Sequence, residues 1–238
     1  MAGYLRKIFE ELAEFEAVKK ALERGEKISA GGVSAPIIAG LSDWAAKYFE
    51  RPVLVLAPED IAKDLLRDAE FTAGEKALSF PAWDILPYEH QYPAPEIVAE
   101  RIFALWRLRQ IEGAIVVAPP LSLMWRTIPE NLLEEFSLSL KVGEKVPPEQ
   151  IVRLLERSGY HREAVVEYLQ TYARRGDILD VFSPAHPDPV RVEFFGDEID
   201  SIRFFSTRDQ RSLGKAKSAR ILPATEWFTV DLAISEEE

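Results

Sequence analysis

The spacing of apolar residues changes several times along the first half of the chain, and each change predicts a different element. Near the start the apolar residues recur every three or four positions, which predicts an amphipathic helix over residues 4–23 that ends at Gly25. The predicted strands that follow are residues 27–30, 53–56, 77–80 and 114–117, and the predicted helices are residues 36–49, a helix opening at Pro58, and residues 96–110. Short strands that alternate with helices are typical of a parallel sheet covered on both faces. This half is therefore predicted to be α/β.

The Pro119-Pro120 pair ends this alternation, and we place a domain boundary there. Beyond it the predicted elements are a strand over residues 136–142, a helix over residues 148–158, and two strands over residues 190–195 and 199–205. The last two strands flank Gly196-Asp197-Glu198, which is typical of an antiparallel hairpin with a short glycine turn. The predicted organisation is an α/β domain at 1–120, a smaller α+β domain at 121–225, and an acidic tail at 226–238.

The composition excludes several classes of site. The chain has 238 residues and no cysteine, so disulfides and thiolate metal sites are excluded. Its three histidines lie far apart in sequence, and we expect no metal and no cofactor. No apolar run approaches the roughly 18 residues of a membrane span, and the first residues lack the apolar core of a signal peptide. This composition favours a cytoplasmic protein without a membrane partner.

The charge distribution argues against a general nucleic-acid binder. The formal net charge is −11, whereas proteins that bind the phosphate backbone usually carry a basic surface. More than half of the lysines and arginines nevertheless lie in residues 121–225, which are almost neutral overall. A local basic surface is therefore compatible with the second domain, and a DNA-binding module remains an alternative, though a disfavoured one.

The glycine turn at Gly31-Gly32 lies where a nucleotide-binding domain would place its phosphate loop, between a first strand and a helix. A working loop has the form G-x-x-x-x-G-K-[ST], in which the lysine contacts the phosphates and the hydroxyl holds Mg²⁺. Here no lysine occurs between Lys27 and Lys47, and Pro36 lacks an N–H near the start of the helix. We favour a connecting turn over a cryptic nucleotide site, and we expect no ATP hydrolysis.

A proline- and aromatic-rich loop covers residues 80–88, with the sequence FPAWDILPY. It resembles the FP-x-W-x-x-LPY signature of transcription-repair coupling factors more closely than the tyrosine-rich equivalent in the excision-repair protein UvrB. UvrB uses this region to insert a long β-hairpin between DNA strands, and about a dozen residues are too few for that device. The resemblance therefore argues against direct verification of DNA damage, while the aromatic side chains themselves are expected to pack on the domain edge.

The stretch from Ser158 to Phe182 carries the most specific pattern, a Gly-Tyr pair, three arginines, a glycine and an alternating strand. It resembles the second domain of the transcription-repair coupling factor and UvrB family, which docks onto the excision-repair protein UvrA. The resemblance implies a first domain like the helicase half of UvrB but with a degenerate phosphate loop, followed by a UvrA-binding domain. It spans most of the chain and is weakest over residues 1–50.

The resemblance also implies which residues would contact UvrA. Arg175 matches the arginine of the family's Arg-Gly pair, with Gly176 after it, and Arg162 matches the upstream arginine of UvrB. UvrB has a further arginine where this chain has Ala173, whereas Arg174 lies one position later. On a strand that shift moves the side chain to the opposite face, so Arg174 is the weaker candidate.

Arginine suits such a surface because its planar guanidinium can bind a carboxylate through two parallel hydrogen bonds and can also stack on aromatic rings. The predicted partner-binding set is completed by Tyr172 as an aromatic anchor, although packing behind the strands is an equal alternative for this ring. The arginines themselves have a simpler alternative as solvated surface groups paired with nearby acids. The hairpin over residues 191–200 is similar to a family hairpin without known chemistry, and we interpret its acids as structural rather than catalytic.

The sequence thus predicts a non-catalytic docking module that recruits UvrA in transcription-coupled nucleotide excision repair. In the family's full-length protein an ATP-dependent DNA translocase removes stalled RNA polymerase, and contacts with polymerase and DNA are expected to lie in domains missing from this chain. The competing hypothesis is a helicase-like fragment that binds nucleotide or DNA. The two differ in whether the chain binds UvrA or Mg-ATP.

Overall fold

The computed structural model describes residues 13–85 and 91–228. The beginning of the predicted helix over residues 4–23, part of the aromatic loop with Tyr88, and the tail beyond residue 228 lie outside the described residues. The described chain forms two compact units. One contains the residues up to Ala82 together with Ala104–Trp125, and the other contains Trp83–Phe103 together with the residues from Arg126 onward.

The first unit is built on a parallel three-stranded sheet. Its helices are α1 (Ala13–Glu23), α2 (Ala35–Tyr48) and α3 (Glu59–Ala73), its strands are β1 (Val53–Leu56), β2 (Ala77–Ser79) and β3 (Ile115–Ala118), and short 3₁₀ turns cover Gly74–Lys76 and Pro120–Met124. The strand order is β1-β3-β2, with Val53 and Ala77 both in register with Ile115. Parallel pairing requires a crossover connection between the strands, which a helix usually provides. The α/β prediction is confirmed.

Alanine and valine side chains form the core of this unit, where α2 and α3 pack on the sheet. The central strand β3 is buried along its whole length. The sequence predicts a sheet that is covered on both faces, but one face of β1 is partly open. Leu54 and Leu56 on that face each keep 49% of their surface exposed. Its two other residues, Val53 and Val55, contribute to the core.

The strand predicted over residues 27–30 does not form. Residues 26–30 have no regular structure, and Ile28 is 40% exposed. No strand precedes β1 within the described residues, so this segment has no partner in the sheet. An apolar residue between two glycine turns resembles a short strand in sequence, but a strand requires a neighbour to satisfy its backbone hydrogen bonds.

The second unit is dominated by antiparallel strands. Its helices are α4 (Pro95–Leu108), of which the residues to Phe103 belong here, α5 (Glu130–Glu135) and α6 (Pro148–Arg157). Its strands are β4 (Leu138–Lys141), β5 (His161–Arg162), β6 (Thr171–Arg175), β7 (Ile178–Val181), β8 (Val190–Phe195), β9 (Glu198–Phe205), β10 (Ser212–Ala216) and β11 (Ser218–Ile221). The order β10-β9-β8-β7-β6-β5 makes a six-stranded sheet, and β11 pairs with β4. The predicted hairpin is confirmed as β8–β9.

One face of this six-stranded sheet, the core face, carries the main hydrophobic core. It contributes alternate residues such as Leu179, Val192 and Ile202, and Ile151 and Leu155 of α6 pack in the same cluster. Tyr160 follows α6 and is buried there, with its hydroxyl donating to the carbonyl of Leu222 at 2.6 Å. The opposite face of the sheet, the outer face, carries charged residues. The division of the strands into these two faces determines which arginines can act together.

A buried ion pair fixes the last described residues within the second unit. Arg101 of α4 donates from Nε to Glu226 at 2.6 Å, and both side chains have almost no exposed surface. The guanidinium also lies 4.3 Å from the centre of the Trp83 ring, which packs on Trp227. Burial raises the pKa of Glu226, and the arginine opposes that shift. This unit is therefore discontinuous in sequence, whereas the domains 1–120 and 121–225 predicted from the sequence are continuous and stay a prediction.

Two absences hold for the described part of the chain. No helix there is both long and apolar enough to cross a bilayer. No group of three or more histidine, aspartate or glutamate side chains there is arranged to hold a metal ion.

Candidate docking site

The Arg-Gly pair lies at the tight turn between β6 and β7. Arg175 is the last residue of β6 and pairs with Ile178, the first residue of β7. Gly176 has a φ of 60°, a conformation that favours glycine, and a Cβ at this position would meet no atom within 4 Å. The turn is therefore open, and the Arg175 side chain is 47% exposed.

Alternation along β6 places the two neighbouring arginines on opposite faces of the sheet. Arg174 lies on the side of α6, where it donates to Glu149 at 2.7 Å and to the carbonyl of Gly176 at 3.4 Å. This bond to Arg174 is the main cause that lowers the pKa of Glu149. Arg175 lies on the outer face. The two side chains therefore cannot contribute to one flat contact.

Asp180 holds Arg175 on the outer face. Its carboxylate has no exposed surface and accepts from Arg175 at 2.7 Å, and from Nε and a terminal nitrogen of Arg191 at 2.6 and 2.8 Å. The register aligns Asp180 with Arg191 on β8. The hydrogen bonds to Asp180 raise the pKa of Arg191, whose guanidinium also lies 4.4 Å from the centre of the Phe205 ring. One buried carboxylate therefore orients two arginines.

Sequence reasoning missed Asp180 and Arg191. The signal for them was present, because a two-residue turn at Gly176-Asp177 fixes the register of the hairpin and places residue 180 on the same face as Arg175. The partner on β8 is a non-local pairing, and no local pattern predicts it. Among the acids of the β8–β9 hairpin, Glu193 is also paired on this face, where it contacts Arg203 and accepts from Ser201 at 2.7 Å.

Arg162 lies on the short edge strand β5, in register with Tyr172 of the parallel neighbour β6. Residues in register share a face, so Arg162 belongs to the core-face side at the edge of the sheet, not to the outer face with Arg175. Its side chain is exposed and makes no hydrogen bond or ion pair with a residue that the structure describes. The structure thus places the two predicted contacts, Arg162 and Arg175, on the same sheet but on different sides.

Tyr172 lies in the core and not on a surface. The residue has no exposed area, and its hydroxyl donates to Glu156 of α6 at 2.6 Å. Burial, followed by the hydrogen bond to Glu156, raises the pKa of Tyr172 to about 12. The prediction of this ring as an aromatic anchor is therefore corrected, since a side chain enclosed by the core face cannot contact a partner directly.

The glycine turn of the first unit offers little to a phosphate. Gly32 has a φ of 69°, and α2 begins at Ala35 after Ser34, whose side chain makes no capping hydrogen bond. Pro36 occupies the first turn of the helix, which contains no acidic residue, and Ile37 beside it is 42% exposed. The first amide donors of the helix, at Ile37 and Ile38, both bond the carbonyl of Ser34.

Comparison with known proteins gives a consistent set of relatives. Residues 138–227 match the UvrB interaction domain. The chain is 31% identical over 216 residues to the transcription-repair-coupling factor of Escherichia coli strain K12, which covers 90% of this chain and 19% of that protein. It is 30% identical over 226 residues to the protein of the same name from Myxococcus xanthus, covering 91% and 19%. For the Haemophilus influenzae protein the identity is 38% over 156 residues, covering 65% and 14%. The chain therefore spans about a fifth of the length of the curated relatives it matches most extensively.

Proposed function

We propose that this chain, a relative of transcription-repair-coupling factors that contains a UvrB interaction domain, is a docking module that recruits UvrA in transcription-coupled nucleotide excision repair. The observation that carries the proposal is Arg175, an arginine half-exposed on a sheet face and oriented by a buried carboxylate. A guanidinium held in one orientation loses little conformational entropy when a partner carboxylate binds it.

The predicted residues take different parts in this proposal. Arg175 is the direct contact, Gly176 keeps the turn open for the partner backbone, and Arg162 supplies a second positive group at the sheet edge. Arg174 is a secondary contact because Glu149 already occupies its guanidinium. Tyr172 supports the sheet from within the core. The UvrA surface that fits this arrangement carries carboxylates opposite Arg175.

The proposal assigns no chemistry to this chain. A nucleotide site would require a cation at the glycine turn, and the sequence supplies no lysine between Lys27 and Lys47. The translocase activity of the whole protein, with its contacts to RNA polymerase and DNA, would belong to other parts of the polypeptide. Recruitment of a repair complex to transcribed DNA also places the protein in the cytoplasm of a bacterial cell.

Direct titration of this chain with purified UvrA in a calorimeter tests the proposal. We expect binding by the wild type and a loss of roughly 2–4 kcal/mol of binding free energy in Arg175→Ala, the range for an arginine at the centre of an interface. Arg67→Ala is the matched control, because Arg67 lies in the first unit and its side chain is 78% exposed.

The control should bind UvrA with wild-type affinity. If the wild type does not bind UvrA at micromolar concentrations, the docking function is wrong. If all three proteins bind equally well, the function stands and the assignment of Arg175 to the site is wrong.

A further inference from the structure

Two glycine turns lie side by side at one end of the six-stranded sheet. The β6–β7 turn contains Gly176 and Asp177, and the β8–β9 turn contains Gly196. The Phe194 N–H donates to the carbonyl of Asp177 at 2.9 Å, which joins the first turn to the end of β8. Gly196 has a φ of 62°, and a Cβ there would also meet no atom within 4 Å. This end of the sheet is therefore open at both turns.

Phe195 is the last residue of β8 and is 84% exposed. Alternation along the strand places Val190, Val192 and Phe194 on the core face, and therefore Phe195 on the outer face. The neighbouring Phe194 is only 6% exposed, so Phe194 packs in the core whereas the ring of Phe195 is exposed to solvent. The exposed ring therefore adds little to the stability of the fold.

Phe195 and Arg175 belong to one patch of the outer face. Arg175 pairs with Ile178, and Ile178 pairs with Glu193, two residues before Phe195 on the same face. Two strand spacings separate β6 from β8, or about 10 Å. We call Arg175, Ile178, Glu193 and Phe195 the turn patch. A single exposed aromatic residue is ordinary, but one beside an oriented arginine has the composition of an interface hot spot.

We infer that Phe195 is a second anchor of the docking surface, and that its ring inserts into an apolar recess of the protein that binds Arg175. The inference rests on the proposed function, with UvrA as the partner. On the outer face Arg191 and Arg203 contact Asp180 and Glu193, whereas Arg175 keeps 47% of its side chain exposed although it also contacts Asp180. This exposed guanidinium fits a partner surface that carries a carboxylate opposite Arg175, while Glu198, which pairs with Phe195, adds a negative charge beside the ring.

The residues next to the turn patch describe the recess more closely. The turn residues Asp177 and Asp197 are exposed on either side of the ring's strand. The partner recess that receives Phe195 should therefore be apolar at its base and basic at its rim, with the carboxylates for Arg175 about two strand spacings away. Self-association through Phe195 is the competing arrangement, and the net charge of −11 opposes it.

Calorimetric titration of Phe195→Ala with purified UvrA, at low and at moderate salt, tests the inference. We expect a dissociation constant at least about tenfold higher than that of the wild type at both salt concentrations, because an apolar contact is not screened by ions. The loss in Arg175→Ala should instead shrink as salt rises. Tyr92→Ala is the matched control, since Tyr92 is an aromatic residue that is 92% exposed outside the sheet, and its affinity should be unchanged.

The outcomes distinguish a failure of the role assigned to Phe195 from a failure of the docking function. If the wild type binds UvrA and Phe195→Ala binds within about twofold of it, Phe195 is not an anchor although the docking function stands. If the wild type does not bind UvrA, the docking function and this inference fail together. If sedimentation finds a wild-type dimer that Phe195→Ala converts to a monomer, the ring binds a second copy of the chain and the assignment to UvrA is overturned.

Discussion

Asp180 connects the hydrogen bonding of the sheet to the orientation of the docking surface. A carboxylate without exposed area is unfavourable unless it is paired, and Asp180 obtains three hydrogen bonds from Arg175 and Arg191. The same contacts keep Arg175 from sampling the many rotamers of a free arginine. At the scale of single residues, the side chain proposed to bind the partner, Arg175, is therefore held in place by a different side chain, Asp180.

Replacement of Asp180 by asparagine should weaken both the fold and the site. The amide keeps the shape but removes the charge between two guanidinium groups, and we expect a loss of about 1–3 kcal/mol in the free energy of unfolding measured in urea. The affinity of Asp180→Asn for UvrA should be lower than that of the control variant Tyr92→Ala. Asp177→Asn, at an exposed turn position, should leave the unfolding free energy unchanged. Equal stability of the two variants would show that Asp180 is not a structural centre of the outer face.

At the scale of elements, the connection between β7 and β8 is tied to the last strand by two side chains. Ser183 accepts from the Leu222 N–H at 2.9 Å, and Nε2 of His186 accepts from the Arg220 N–H at 3.2 Å. His186 also packs its ring on Phe204. The histidine can accept this bond only when that nitrogen carries no proton, so the strand depends on the charge state of His186.

Acid should therefore loosen this connection. Burial lowers the pKa of His186 from its ordinary value of 6.5, so the unfolded chain binds a proton more readily than the folded one. The stability from neutral His186 is present above pH 6.5 and declines as the pH falls through the lower folded value. Urea unfolding at about pH 7.5 and about pH 5.5, on either side of the ordinary histidine value, should show a decrease that is smaller in His186→Gln. His161→Gln, at an exposed position, should keep the wild-type decrease; if the His186 variant keeps it too, the histidine does not control the connection.

Local patterns predict the regular elements better than their partners. The hairpin at residues 190–205 follows from alternation around Gly196, and the strand β1 follows from its apolar run. The expected strand at residues 27–30 failed because the sheet offers it no neighbour. Tyr172 resembles a surface anchor in sequence because an aromatic residue next to arginines is typical of an interface, and only the register shows that its face is the core. Asp180 and Arg191 meet through pairing between strands, which periodicity does not encode.

At the scale of the whole molecule, the proposed function belongs to the second unit and not to the first. The first unit has a parallel three-stranded sheet, and its glycine turn has neither a strand before it nor a lysine beside it. The second unit carries the oriented arginines. A chain with this division is expected to respond to a protein partner and not to a nucleotide.

Thermal unfolding in the presence of Mg-ATP tests whether the chain binds a nucleotide. A nucleotide present at one hundred times its dissociation constant would add about 2.7 kcal/mol to the stability of the folded chain. We expect no rise in Tm at millimolar Mg-ATP, and the same result with Mg-ADP. A Tm that increases and saturates with ATP concentration would favour the helicase-like nucleotide-binding hypothesis over the docking module.

The ion pair between Arg101 and Glu226 has a practical meaning for anyone who divides this polypeptide. Its members are 125 positions apart, yet they neutralise each other where almost no side-chain surface is exposed. A recombinant piece that starts at the proline pair would retain the glutamate and lose both Arg101 and Trp83, and with them the ion pair and the ring that packs on Trp227. Expression of the docking module by itself should therefore begin before Trp83, so that the piece includes Trp83 and the helix that carries Arg101.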